Sequence, residues 1–321
     1  MHYRTLGRTG LQVSELSFGA WAIGGNQYGN SYGPTDDATS AKAIAKALDF
    51  GCNFFDTADV YGYGHSEEVL ARGLQTAGKL NEVLIATKVG GNFYGGKTVV
   101  DFSPAYIKTA LEHSLRRLQR DYIDLYQLHN PSRILIEDGQ IFEVLDELKA
   151  AGKIRHYGVS IHSVPEGLAC VRSGKPDTIQ LVWNMFSLAQ SENPAEDLFP
   201  LAHERQVGVI AREPLANGFL TGKQRLDTKY VAGDIRSTWP LNYRSYKIRL
   251  AEALRFLEQT EDGMSRTMSQ AALRFALDEP AVSTVIVGVK TPEQATENFA
   301  VPELAPLTQA ERTRINGVFF G

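Results

Sequence analysis

Eight short apolar runs, starting near Leu16, Asn53, Val83, Tyr122, Ile154, Thr178, Val207 and Val282, recur along the chain at strand length. Longer stretches of helical period lie between them, among them residues 38–50, 68–74, 104–118, 141–150, 246–259 and 265–277. Apolar runs that each return through a helix make βα units, whose strands are buried on both faces. Eight such units, with no linker, repeat or composition step between them, predict one (β/α)8 TIM barrel over residues 1–321. A doubly wound sheet is the alternative. Ahead of the first run, Leu6-Gly7-Arg8-Thr9-Gly10-Leu11 reads as the turn of a small hairpin. Ser66 reads as the N-cap of the second helix, with Glu67 and Glu68 placed against its dipole. Two connections are long, a glycine-rich one over 89–102 and another over 213–245, and long loops are often functional.

A chain of 321 residues that is 43% hydrophobic can bury a large core without disulfides or metals. Its formal net charge of −4 and lack of a basic run argue against nucleic acid or an anionic membrane surface as partner. The two cysteines, Cys52 and Cys170, form no disulfide framework or CxxC metal site. The opening residues do not read as a signal peptide, and apolar stretches such as 285–289 fall far short of a bilayer span, so a cytoplasmic location is expected.

Barrel active sites lie at the C-terminal ends of the strands. The second run leads straight into Asp56-Thr57-Ala58-Asp59-Val60-Tyr61-Gly62, the third ends on Lys88, and the fourth on His129 before Asn130-Pro131. Singly, each has an ordinary explanation: a turn cap, a rim aromatic, a lysine at a strand end, a core histidine. Together they offer a phenol, an ammonium, a carboxylate and an imidazole at one mouth. An ammonium favours phenolate, so Lys88 should lower the Tyr61 pKa from its reference of about 10, with Asp56 holding the amine. His129 would orient a carbonyl oxygen. A proton donor aimed at a developing alkoxide calls for a hydride donor opposite. No HxH or HExxH pair, GxSxG elbow, Walker run or GxGxxG turn is present, so no metal is expected and any nicotinamide cofactor binds outside a Rossmann fold.

At these residues the chain resembles the aldo-keto reductases, and the likeness covers nearly its whole length. The opening segment through Ser14 is similar to the family's N-terminal hairpin, which closes the barrel bottom. Asp56, Tyr61, Lys88 and His129 match its catalytic tetrad in order, which implies Tyr61 as general acid/base. By the same resemblance Ser160 and Gln180 hold the nicotinamide carboxamide, although Ile161 replaces the family's usual Asn. Arg212 stands where an aromatic often underlies the nicotinamide, so that it would reach nicotinamide, phosphate or substrate. Pro214, Leu215, Gly218 and Lys223 belong to a stretch similar to the loop over the pyrophosphate. Gly288, Lys290, Thr291, Gln294, Glu297 and Asn298 resemble the adenosine-phosphate and adenine site. The family's best-known Lys-Ser-Arg phosphate pattern fails here, which leaves Lys290 as the expected reason for preferring NADP(H), with NAD(H) as the alternative cofactor.

The resemblance implies an oxidoreductase of an aldehyde, ketone or sugar carbonyl, able in principle to run in reverse. A regulatory or redox-sensing barrel that retains its cofactor is the alternative. Trp21, Tyr63, Phe93, Tyr94 and Trp239 could wall a substrate pocket, or simply pack their loops. Neither the small-molecule substrate nor the oligomeric state is readable from sequence.

Overall fold

The computed structural model describes residues 1–260, 263 and 265–320. Strands Tyr3–Thr5 and Gln12–Ser14 pair antiparallel across a short 3-10 turn, Gly7–Thr9. Eight strands follow: β1 (Leu16–Gly19), β2 (Phe54–Asp56), β3 (Leu84–Val89), β4 (Ile123–His129), β5 (Ile154–Ser160), β6 (Thr178–Val182), β7 (Gly208–Arg212) and β8 (Val282–Gly288). Each lies parallel to the next, and β8 returns to β1 with Gly288 opposite Gly19, closing the barrel. Every strand starts within one residue of its apolar run.

A helix follows each strand: α1 (Asp37–Asp49), α2 (His65–Thr76), α3 (Pro104–Leu118), α4 (Gln140–Ala150), α5 (Val164–Ser173), α6 (Leu198–Glu204), α7 (Met268–Leu277) and α8 (Pro292–Phe299). Helices Arg133–Asp138, Leu241–Ala253 and Gln309–Phe320 are additional. The expected helix over 246–259 starts earlier, at Leu241, and gives way to a 3-10 turn at Arg255–Glu258. A capping box between Thr267 and Gln270 starts α7 at Met268 instead of residue 265. Ser66 is not an N-cap. It lies inside the first turn of α2, fully buried, where its hydroxyl donates to the Ala20 carbonyl at 2.7 Å and meets Thr57 Oγ1 at 2.9 Å. The 89–102 loop is also more ordered than expected, carrying a ladder between Gly91–Asn92 and Val99–Val100. No helix among the described residues is long and apolar enough to cross a membrane.

Two cores result from strand alternation. Outward residues such as Phe18, Phe55, Ile85, Leu128 and Val159 pack under the helices. Inward residues Phe54, Ala86, Leu125, Ile210 and Ile286 fill the barrel, joined from the hairpin by Leu6 and Val13, which plug its N-terminal end. Gly208 lets that plug seat, since a Cβ there would lie 2.8 Å from Leu6 Cδ1. Two residues onward along the same strands the inward side chains are Asp56, Lys88, Gln127 and Arg212. The apolar plug below therefore lends its strand parity to the polar layer above.

Candidate active site

Asp56 ends β2, and the turn that follows brings Tyr61 back over the barrel. Gly62 makes this turn possible: its φ is +60°, and a Cβ would fall 2.2 Å from the Gly24 carbonyl oxygen. Lys88 Nζ donates to Asp56 Oδ1 at 2.5 Å, to the Thr57 carbonyl at 2.8 Å and to the Tyr61 hydroxyl at 3.3 Å. The other Asp56 oxygen accepts from Gln180 Nε2 at 2.7 Å and Gln127 Nε2 at 3.1 Å. The His129 ring stands edge-on to Tyr61, 5.7 Å between centroids. All four expected tetrad members thus meet at one point.

Their charge states follow from burial and mutual contact. Burial holds His129 well below the ordinary imidazole value, and the Lys88 and Arg212 cations push the same way. The ring is neutral, suited to donating a hydrogen bond without delivering its own proton. Burial also works against the Lys88 ammonium, but Asp56 and Tyr61 outweigh it and hold its pKa above the ordinary value. The expected lowering of Tyr61 is overturned in its net sign. Desolvation raises the phenol above its ordinary value, and Lys88 only offsets part of that rise. The resting phenol is therefore protonated at neutral pH, as a proton donor for reduction must be.

From Tyr61 a cavity of about 870 Å³ runs across the ends of β7 and β8 to α8, within the range of small-molecule and cofactor clefts. Of the residues expected from sequence, Trp21, Tyr63, Gln180, Arg212, Pro214, Leu215, Gly218, Lys223, Gly288, Lys290, Gln294, Glu297 and Asn298 line it with Asp56, Tyr61 and His129. Lys88 and Ser160 are buried behind the wall. Thr291 serves as N-cap of α8, accepting from Gln294 N. Trp239 is not brought to this cavity: it stacks on Phe219 and meets Tyr243 edge-on, both at 5.7 Å. Tyr63 is wall and packing at once, lying parallel to Phe93 at 4.7 Å and to Tyr28 at 5.6 Å.

The segment after β7 is strained in the way anion cradles are. Glu213, Ala216, Asn217 and Gly218 have φ of 55°, 47°, 57° and 89°, and three non-glycine residues in the left-handed region need support. Support comes from an ion pair between Arg212 and Glu213 and from Asn217 Nδ2 donating to Glu213 Oε2 at 2.9 Å. Asn184 Nδ2 donates to the Glu213 carbonyl at 2.9 Å. Beyond the cradle, Lys223 and Glu297 approach to 3.4 Å across the cleft. Gln180 Oε1 and Glu297 Oε1 are buried acceptors with no partner among the described residues.

Sequence reasoning missed Tyr32, Asn130, His162 and Arg236, which also line the cavity. Arg236 pairs with Asp234 at 2.6 Å and covers the Tyr32 ring at 4.6 Å. Lys290 Nζ donates to the Tyr32 carbonyl at 2.8 Å, so it ties down the β1–α1 loop. It is neither free in solvent nor waiting alone for an anion. Tyr32 and Arg236 arrive from loops without a motif, and no sequence signal singles them out. Asn130 directly follows His129 and His162 lies two residues beyond Ser160, both recognised at strand ends, which was the available signal.

A phenol held by a buried ammonium, at one end of a strained anion cradle in a barrel mouth, defines a class: oxidoreductases that pair proton delivery with a bound hydride carrier. Comparison with known proteins agrees. Residues 15–319 match the model of the aldo/keto reductase family. Aldo-keto reductase YhdN of Bacillus subtilis is 34% identical, covering 92% of this chain and 86% of its own length. A probable voltage-gated potassium channel subunit beta of Arabidopsis thaliana is 29% identical over 96% of this chain and 93% of its own. Among solved structures, the glycerol dehydrogenase AKR11B4 from Gluconobacter oxydans superposes with a TM-score of 0.81 at 32% identity, covering 98% of this chain and 94% of that one. The chain belongs to the aldo/keto reductase family and is an oxidoreductase of the nicotinamide-dependent kind.

Proposed function

We propose that the protein is an NADP(H)-dependent reductase of an aldehyde, ketone or sugar carbonyl, running in reverse as an alcohol or aldose dehydrogenase. It acts as one catalytic domain over residues 1–321 and works in the cytoplasm. The observation that carries this reading is the 3.3 Å contact between Lys88 Nζ and a protonated, half-buried Tyr61 hydroxyl at the cavity floor.

The residues present fit a nicotinamide dinucleotide. The unpartnered Gln180 Oε1 can accept from a carboxamide N–H, and the unpartnered Glu297 Oε1, beside Asn298, from an adenine amino group. The left-handed residues Glu213, Ala216, Asn217 and Gly218, together with Lys223, suit a pyrophosphate. When bound, the dihydronicotinamide supplies a hydride to the carbonyl carbon. His129 donates an N–H to the carbonyl oxygen and fixes its direction, and Tyr61 passes its proton to that oxygen. Lys88 stabilises the phenolate left behind, and Asp56, held by Gln127 and Gln180, keeps the ammonium in place.

Mixing the protein with NADPH and a panel of aldehydes, ketones and sugars should give many turnovers per chain, read as loss of dihydronicotinamide absorbance. A barrel that only senses redox state, the reading suggested by the channel-subunit relative, would stop after one cofactor equivalent. Such a result would overturn the proposal.

The preference for NADP(H) is assigned to Lys290 together with Arg236. Burial, and to a lesser degree the Arg236 guanidinium, hold the Lys290 pKa below its ordinary value, while Asp234 works the other way. Two crowded cations beside the start of α8 suit the extra phosphate of NADP(H). Lys290→Ala should weaken NADPH about ten- to a hundredfold, as expected for one lost charge-assisted contact. It should weaken NADH far less, because only the tie to Tyr32 is shared by both cofactors. Fluorescence titration of wild type and variant checks this, and equal losses would remove Lys290 from the phosphate site.

A further inference from the structure

We propose that a second cavity, beside the anion cradle, binds a small carboxylate with an apolar body, and that Lys247 takes the carboxylate group. The cavity holds about 470 Å³, enough for a small ligand. It shares a wall with the barrel mouth: His162, Glu213 and Asn217 line both, whereas Tyr61 and His129 line the barrel mouth alone. Its other walls come from the 3-10 turn Met185–Ala189 after β6 and from helix Leu241–Ala253.

Lys247 projects from that helix onto aromatic faces. Its Nζ lies 4.4 Å from the centre of the Phe186 ring and 5.7 Å from that of Tyr243. It makes no hydrogen bond or ion pair among the described residues, and burial alone holds its ammonium below the ordinary lysine value. A surface lysine normally buries its stem and keeps its head in water; here the head is partly stripped of water as well. Lysines more exposed than this one, Lys79, Lys108 and Lys175, each find a carboxylate. A half-buried cation with rings beneath it and no counter-ion is a site that an anion completes.

The lining also sets the class of anion. A single cation suits a monoanion, whereas a phosphate dianion calls for several donors of positive charge. Neither acidic residue of the lining serves as the counter-ion. Glu213 is committed to Arg212 and Asn217, and Glu192 stands exposed in the loop after β6, where solvent and salt screen it. Val164, Leu181, Phe186 and Phe219 supply the rest of the wall, so the body of the ligand is apolar, and a flat ring suits the two phenylalanines.

Benzoate and its neutral analogue benzamide, titrated by calorimetry into the NADPH-saturated protein, test this. Benzoate should bind about ten- to a hundredfold more tightly, the worth of one charge-assisted contact. Lys247→Met keeps an apolar stem over Phe186 and removes the charge. It should bring benzoate down to the level of benzamide and leave benzamide unchanged. Lys247→Arg should retain most of the preference. Absence of benzoate binding in wild type overturns the proposal. So does a preference that survives in Lys247→Met, which would place the carboxylate in the barrel mouth, where an added aldehyde displaces it. Carbonyl turnover is not a readout here, so failure of the reductase reading leaves this proposal standing.

Discussion

Tyr61→Phe is expected to lower carbonyl reduction about 10²–10⁴-fold, the usual cost of losing a positioned acid. Its other effects should be small. The ring still fills the space beside His129, and Lys88 keeps two partners, Asp56 at 2.5 Å and the Thr57 carbonyl at 2.8 Å, so the ammonium is not stranded. NADPH affinity, measured by fluorescence, should stay close to wild type, because the phenol donates to substrate rather than to the dinucleotide. A folded variant that reduces carbonyls at the normal rate would show that another group supplies the proton.

Lys88→Met is expected to alter rate, pH dependence and stability together. Among the described residues Lys88 is the only one hydrogen-bonded to the Tyr61 hydroxyl, and it lowers the phenol pKa against the rise caused by burial. Without it the phenol pKa climbs further. Alcohol oxidation needs the phenolate, so its rise with pH should move to higher pH. Carbonyl reduction needs the phenol, so the basic fall-off of its profile should move up as well, at a lower plateau. Stability should drop by about 3–5 kcal/mol, because removing one member of a buried ion pair leaves Asp56, 2% exposed, without its cation. The double variant Lys88→Met, Asp56→Asn removes both charges. It should recover most of the stability while keeping the shifted pH profile. Unchanged profiles in both variants would make Lys88 a structural lysine.

Much of this was legible in the sequence, for physical reasons that can be named. Eight apolar runs gave eight strands because strands buried on both faces must be apolar throughout. The tetrad was visible because polar residues ending such runs have nowhere to point but the barrel mouth: Asp56 follows Phe54 by two, and Lys88 follows Ala86 by two. Effects that depend on three-dimensional crowding were not legible. The net pKa of Tyr61 depends on how much burial opposes Lys88, and sequence reveals only the neighbour. Ser66 has the composition of an N-cap, yet the tertiary pull of the Ala20 carbonyl took its hydroxyl. Arg236 and Tyr32 come together across some two hundred residues through loops whose course no period or motif encodes. Trp239 looked like a pocket wall only because it is large and lies in a long loop.

The seam at which β8 meets β1 has a consequence for how the chain comes to exist. Leu16 pairs with Val285 and Phe18 with Val287. During synthesis β1 therefore waits for nearly the whole chain before its last neighbour is made, and until then the growing sheet has two open edges. Contacts this distant in sequence slow folding, and open apolar edges invite pairing with other molecules. The hairpin bearing Leu6 and Val13 emerges first and has no barrel to plug until Ile210 and Ile286 arrive. Folding of this enzyme is thus tied to its final strand, and nascent chains halted before β8 are the species most exposed to aggregation and most in need of chaperones.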